Sequence, residues 1–455
     1  MSNFAVFNHK ITHIMTKKKL DACSIKHIQK ELEDNGLMTD PKMEDASTVS
    51  KLKALAALMS AVDHRVQGRT FHSATTIILV SLAGILGGCL SWNACELFAI
   101  THLKVLKKLD SSIKEIPSHD TLRRFFSIIK PSELEIVYRA WAKQMSEEIK
   151  VERNVGDVDR RHGIKHHYAL DGKTICGAAD ADKILKEHAG EITEEYAENV
   201  KIHIETIYDT ERYIPLAQEC ISIKKNELDA IPKLLNCTAL GKGDIVTIDA
   251  MGTHVNLAQQ IHDTGAYYLL EVKDNQRLLK ASIKKCMDKI IDTPATALMC
   301  SKATDFCHND HSCEVTRTCY TCLANEYMIE QKKKWPGLST FGVIKVEKKF
   351  KDGTVVNEEH FFITSLPKDP ALIMKHKRQH WQIENGLHWH LDVTFNEDGG
   401  TKMMNSAQNF SLLTKIALTI LKNDKKNIPI SQKKMLAGWD EKYLLSLLKA
   451  VVKGF

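Results

Sequence analysis

At 455 residues the chain exceeds one ordinary domain and can bury a large core. Its 63 Lys plus Arg against 57 Asp plus Glu give a formal net charge of +6, mild enough that any phosphate binding must rest on local clusters of charge. Twelve Cys without a regular pairing pattern, and no N-terminal signal peptide, exclude a secreted disulfide framework and point to a reducing cytoplasm.

Residues 1–62 carry Lys and Glu with weak helical patterns at Ile25–Leu32 and Val49–Met59. They are expected to form a partly disordered extension, with Met15 as an alternative start. Residues 63–150 read as helical, over Ile77–Leu86, Asn93–Leu109, Ser118–Ile129 and Ser132–Ile149. The longest apolar run, Ile77–Leu90, spans fourteen residues and holds Ser81, Gly84, Gly87 and Gly88. That is short for a membrane span, so a buried helix is expected and no membrane partner. Pro117-Ser118 starts a helix carrying Arg123 and Arg124, and Pro131 punctuates the next. Two helices around a short turn, the second bearing those arginines, suit DNA binding and a packing domain with surface arginines equally.

From residue 164 the pattern turns to strands: His166–Leu170, Val200–Tyr208 and Tyr213–Ile223, with hairpin-type connections. Asn226, with Asp229 three residues on, N-caps a helix through Leu235. A strand at Ile245–Ile248, a helix at Val255–His262 and a strand at Tyr267–Val272 follow. The first and fourth strands each run into an acid, Asp171 and Asp249, with a Gly soon after. Alone, each Asp reads as a turn former or cap, but acids at the ends of buried strands can project into a site. Further on, Phe341–Phe350 and Glu359–Ser365 flank Lys351-Asp352-Gly353-Thr354, a hairpin signal that makes residues 286–374 β-rich. Within that stretch Cys319-Tyr320-Thr321-Cys322, with Cys307, His308, His311 and Cys313 nearby, could form a structural zinc site. Cys313 to Cys319 alternates like a strand, however, and there is no second Cys-x-x-Cys, so reduced strand cysteines are the expectation.

Near the C-terminus, His380-Trp381-Gln382-Ile383-Glu384-Asn385-Gly386-Leu387-His388-Trp389-His390-Leu391-Asp392 reads as a helix. Glu384, His388 and Asp392 recur at i, i+4 and i+8, which lines three polar groups along one face, while Trp381, Leu387 and Leu391 look like packing residues. A carboxylate on such an apolar helix needs a partner or a metal. Three carboxylates, Asp171, Asp249 and Glu384, can hold two divalent cations for phosphoryl transfer, with Asp392 as the alternative third acid. From Lys375 to Phe455 there are 13 Lys plus Arg against 7 Asp plus Glu, so this tail equals the whole positive excess. It suits phosphate contacts and a solvated helical surface equally.

These residues resemble the DDE transposases of bacterial insertion sequences, in the branch that includes the H-repeat-associated proteins. The pieces that carry the resemblance are Leu90-Ser91-Trp92, Ile116–Phe125, Ala169–Thr174, Lys225-Asn226-Glu227, Val246–Met251, Lys273 with Asn275-Gln276, and the segment from His380. His311, Glu314 and Arg317 also fall on a His-x-x-Glu-x-x-Arg pattern of the family. The similarity covers roughly residues 60 to 450. It departs at Cys176, at Thr253-His254, and at Gly399-Gly400-Thr401-Lys402-Met403-Met404, where relatives carry arginines.

The resemblance implies an α/β (α+β) chain with a ribonuclease H-like core, in which the order of three strands, helix, strand, helix and strand agrees. The core would run through 151–285 and 375–422, interrupted by the β-rich insertion of 286–374 before the last catalytic helix. An N-terminal helical domain at 63–150, a candidate for DNA binding, and a basic helical tail at 423–455 would flank it. Asp171, Asp249 and Glu384 would be the catalytic triad, holding Mg²⁺ or Mn²⁺. Lys173, Lys273, His388, Arg123, Arg124 and Lys402 would contact DNA. The implied partners are double-stranded transposon ends with inverted repeats, target DNA and a second copy of the chain as a homodimer, in a bacterial cytoplasm at the nucleoid. The implied chemistry is cleavage at the element ends followed by strand transfer. Two other classes stay open: an inactive or domesticated DNA-binding descendant, and a metal-dependent nuclease without strand transfer.

Overall fold

The computed structural model describes residues 48–66, 70–152, 157–179, 201–221, 227–293, 300–310, 313–399 and 405–453. Six helices open it: α1 (Thr48–Val62), α2 (Ala74–Leu86), α3 (Trp92–Thr101), α4 (Leu103–Leu109), α5 (His119–Ile128) and α6 (Pro131–Glu148). The long apolar run becomes α2, capped by the Ser73 side chain accepting from Thr76 N–H and buried along all thirteen residues. Its glycines serve close packing, since a Cβ on Gly84 would stand 2.7 Å from Cys95 Sγ, and one on Gly87 2.3 Å from the Phe98 ring. No helix among the described residues is long and apolar enough to cross a membrane. The helix expected over Asn93–Leu109 breaks at His102, whose φ of −106° and ψ of 18° leave the helical region. Ser118 caps α5, and Pro131 opens α6 at its first turn. Within the segment expected as an extension, α1 buries Leu55, Met59 and Val62 in the same helical core.

The chain continues through α7 (Val158–His162), β1 (His166–Ala179), β2 (Lys201–Asp209), β3 (Ile214–Ile221), α8 (Glu227–Cys237), β4 (Asp244–Ile248), α9 (Val255–Asp263), β5 (Tyr267–Val272) and α10 (Arg277–Asp292). Then come β6 (Ser301–Asp310), β7 (Cys313–Leu323), the short α11 (Ala324–Tyr327) and α12 (Ile329–Lys334), β8 (Thr340–Phe350), β9 (Val355–Thr364) and α13 (Pro370–His380). After the Glu384 segment, α14 (Ser406–Asn423), α15 (Ile430–Trp439) and α16 (Glu441–Lys453) return to the helical layer.

Among the described residues, nine strands form one sheet, in the order β3-β2-β1-β4-β5-β9-β8-β7-β6. Only β1–β4 and β4–β5 pair in parallel. The β-rich stretch before the Glu384 segment therefore extends the first five strands, through antiparallel pairing of Leu269 with Thr364 and Leu270 with Ile363. Residues Cys313–Leu323 form β7 as the alternation predicts, with Cys319 and Cys322 buried. The fold is mixed α/β.

Side-chain alternation separates the two faces. Tyr168, Leu170, Val246, Ile248, Tyr268 and Leu270 pack under α8, α9 and α10, while Ile245 and Leu269 pack under Leu372 and Ile373 of α13. The helical core combines α1–α6 with α14–α16, and takes in Ile383, Leu387, Leu391 and Phe395 from the Glu384 segment.

That last packing changes how the basic tail reads. Lys377, Lys415, Lys433 and Lys434 are buried rather than spread over a surface. Lys433 Nζ donates to Leu421 O at 2.7 Å and Asp424 O at 2.9 Å, and Lys434 Nζ to Thr394 O at 2.6 Å. Four of the thirteen basic groups are thus committed to internal contacts, which weakens the case for a phosphate-binding tail.

Candidate active site

The site starts at a mismatch in strand length. β1 was expected to stop at Leu170 but runs on to Ala179, because its pairing with β2 continues through Asp171↔Thr206 and Lys173↔Ile204. Its pairing with β4 ends at Leu170↔Ile248. One step beyond that last pair lie Asp171 and Asp249, at the position where neighbouring strands stand about 4.8 Å apart. Period two puts Asp171 with Ala169, and Asp249 with Thr247, on the face covered by α13 and the Glu384 segment. Asp249 also caps the turn Ala250–Gly252, accepting from Met251 N–H at 3.0 Å.

The Glu384 segment differs from the expected α-helix. α13 ends at His380, and the chain continues in two wide π-type turns, Glu384–His388 and His390–Thr394. Trp389 N–H reaches Glu384 O, and Phe395 N–H reaches His390 O at 3.0 Å, both i→i+5 bonds. Such widened turns are rare and concentrate at functional sites. Ile383, Leu387 and Leu391 anchor the segment in the helical core, which leaves the polar residues one step round facing β1. Leu387 and Leu391 are packing residues as expected, but Trp381 and Trp389 are each 51% exposed.

His388 Nδ1 lies 3.4 Å from Asp171 Oδ2. Burial pushes the Asp171 carboxyl up, yet His388 outweighs that and holds it below its usual range. Glu384 moves the other way: burial and then the Asp171 charge raise it, against His388, Lys273 and Lys377. The two carboxylates are therefore within electrostatic reach and repel each other. Among the described residues, no group of three or more His, Cys, Asp or Glu is assembled closely enough to hold a metal ion. The donor set still suits a hard cation: Asp171 and Glu384 supply carboxylate oxygens whose mutual repulsion a bound cation would relieve.

Other expected site residues are placed as follows. Lys273 is 58% exposed, with Nζ 3.6 Å from Glu271. Arg123 is 61% exposed and paired to Asp120 at 2.8 Å, and Arg124 is exposed beside it. Lys173 is only 9% exposed, with Nζ 2.6 Å from Asp392 and 3.3 Å from Glu397, so it faces an acidic pocket rather than solvent. Asp392 is thereby engaged by Lys173. Lys402 and Asn226 lie outside the described residues.

Supporting residues surround these acids: Asn275, Gln276, Thr247 and His380 fall within the family pattern, whereas Glu271 and His360 carried no sequence signal of their own. Asn275 Nδ2 donates to Ala250 O, and Gln276 Nε2 to Thr253 O at 3.0 Å, so this pair clamps the loop that carries Asp249. Glu271, buried on β5, receives Lys377 Nζ at 2.7 Å and His360 Nδ1 at 3.1 Å. Burial alone would raise its carboxyl, but His360 and Lys377 hold it well below the usual range. Behind Asp171, Thr247 Oγ1 meets His380 Nδ1 at 2.9 Å and His167 Nε2 at 3.2 Å. Burial draws His380 down to about 4, which keeps it neutral at pH 7. Alternation marked Thr247 as a strand residue and nothing more; its partner is 133 residues away.

Known proteins resemble the chain over most of its length. The family described as "Transposase DDE domain" matches residues 167–420, and "DDE_Tnp_1-associated" matches 55–142. "Putative protein YbfL" of Escherichia coli (strain K12) is 30% identical over 409 residues, 88% of this chain and 98% of that protein. "H repeat-associated putative transposase YhhI" of the same strain is 29% identical over 409 residues, with the same coverage. A shorter relative there, "Inactive transposase YbfQ", is 32% identical over 65 residues, 14% of this chain and 77% of that protein. The chain belongs to the DDE transposase family.

Proposed function

We propose that this chain is an active DNA transposase, which cleaves phosphodiester bonds at insertion-sequence ends and transfers the freed 3′ ends into target DNA. The reading rests on the end of the β1–β4 register at Leu170 and Ile248, after which Asp171 and Asp249 follow side by side. Asp171, Asp249 and Glu384 would hold Mg²⁺ or Mn²⁺, which supplies charge stabilisation and a water of lowered pKa at such sites. Asp171 stays ionised through His388, and Asn275 with Gln276 keeps the Asp249 loop in place. Exposed Lys273 offers a phosphate contact beside the acids, and His388 offers a second. The strand order β3-β2-β1-β4-β5, antiparallel then parallel, supports a ribonuclease H-like core with β6–β9 as its insertion. The reading includes a homodimer on DNA in the bacterial cytoplasm.

The test is direct. Purified protein with Mg²⁺ or Mn²⁺ is expected to nick a duplex carrying its own element's end and to join that end to a second duplex. Nicking without joining would leave a nuclease, and binding without nicking a DNA-binding descendant. The absence of an assembled three-ligand group among the described residues is the observation that favours the latter.

End recognition is proposed to lie in the helices of 63–150, because the triad must accept end and target DNA of differing sequence. Replacing Arg123 and Arg124 with Ala is expected to lower the preference for element ends by about 1–3 kcal/mol per lost base contact, read by competition binding. A uniform loss on all DNA would mean phosphate contacts alone, and unchanged binding would make the segment a packing domain.

A further inference from the structure

Lys173 follows Asp171 by two residues on β1, so both side chains leave the same face of the sheet. Its ammonium lies 2.6 Å from Asp392 Oδ1, 3.3 Å from Glu397 Oε2 and 3.5 Å from Asp398 Oδ1. Each of these acids comes after Glu384: Asp392 within the second π-type turn, Glu397 and Asp398 in the turn that ends the segment. Glu397 is 1% exposed, a burial that an ionised carboxylate tolerates only with a close cation.

The segment needs such a hold. Widened i→i+5 turns are intrinsically poorer than α-helix, so the direction in which Glu384 leaves the backbone depends on contacts outside the segment. Upstream, Lys377 is tied to Glu271 on β5. Downstream, Lys434 caps the second turn at Thr394 O. Neither of those ties reaches β1, the strand that carries Asp171; His388 touches β1 at Asp171 itself, and the Lys173 cluster holds it two residues further on with the shorter contact.

We propose that Lys173 is a positioning residue: its ion pairs to Asp392, Glu397 and Asp398 pin the Glu384 segment to β1 and set Glu384 against Asp171. It is not a phosphate contact. This rests on the reading of Asp171 and Glu384 as joint metal ligands.

The test uses the full-length chain with two separate probes. Mn²⁺ alone is titrated by calorimetry, and a random-sequence duplex is titrated at several salt concentrations. Lys173→Met is expected to raise the Mn²⁺ half-saturation by about tenfold or more, as loss of an outer support for a metal ligand does. Lys173→Arg restores most of the affinity. DNA affinity and its salt slope stay unchanged in both. Asp392→Asn, at a partly exposed position, covers the case in which Lys173→Met does not fold: it gives a smaller rise in half-saturation at unchanged melting temperature. If Lys173→Met lowers the salt slope by about one and leaves Mn²⁺ binding unaltered, Lys173 is a phosphate contact and the proposal fails. Unaltered Mn²⁺ binding in both Lys173→Met and Asp392→Asn also overturns it, with the triad reading intact. A wild-type chain that binds no Mn²⁺ removes the metal-site reading and this proposal together.

Discussion

Asp171→Asn, Asp249→Asn and Glu384→Gln are each expected to reduce end cleavage by about 10³-fold or more, a loss of about 4 kcal/mol of transition-state stabilisation, with DNA affinity nearly unchanged. Each change removes a ligand charge at almost constant volume, so the fold is retained. Asp249→Asn keeps an oxygen that can cap Met251 N–H, which protects the Ala250–Gly252 turn. Glu384→Gln removes a charge that Asp171 repels, and is expected to leave stability unchanged or slightly raised. Single-turnover nicking with Mg²⁺, alongside duplex binding, separates the effects. Normal cutting by Glu384→Gln together with inactive Asp392→Asn would move the third carboxylate eight residues along the segment.

The second large effect is on stability. Asp159 on α7 is fully buried, with Oδ1 2.8 Å from His376 Nε2 and Oδ2 2.7 Å from Lys375 Nζ. His376, itself buried, stacks on His167 with ring centroids 5.0 Å apart. Asp159→Ala leaves His376 without the carboxylate inside the core beneath α13. The expected loss is about 3–5 kcal/mol, the usual consequence of removing one partner of a buried pair. Urea denaturation reads it, and a loss under about 1 kcal/mol would mean the pair contributes no more than a surface one.

The same group makes stability depend on pH. Burial raises the Asp159 carboxyl, but His376 and Lys375 outweigh it and hold it at about 2 in the folded state, against about 3.9 unfolded. A depressed carboxylate stabilises the fold above its unfolded value, and that contribution is lost as pH falls through about 4 to 2. It amounts to about 2–3 kcal/mol at neutral pH, and Asp159→Ala should abolish this part of the acid dependence.

Much of this protein was legible in one dimension. The strand at Tyr267–Val272 and the hairpin around Lys351–Thr354 follow from alternation and turn chemistry. The starts of α5 and α6 follow from Ser118 and Pro131. These are local properties, set by steric periods and by hydrogen bonds spanning a few residues, so a sequence window contains their causes. The acids Asp171, Asp249 and Glu384 were singled out on the same basis, with the family resemblance.

What only the tertiary structure decided involves partners far apart in the chain. β1 outlasts β4 because β2 keeps pairing with it, and the β1–β4 register ends at Leu170 and Ile248, one residue before Asp171 and Asp249. The tail holds the chain's whole positive excess, but Lys415 and Lys434 lie in the core, where Thr206 and Thr394 receive them. Trp381 and Trp389 face outward because Ile383, Leu387 and Leu391 take the core side of their segment. Lys173 looks like a basic residue beside an acid in sequence, and becomes the partner of Asp392 and Glu397 once the chain has returned more than two hundred residues later. Whether a charge meets water, phosphate or a carboxylate depends on what folds over it, and no local period carries that information.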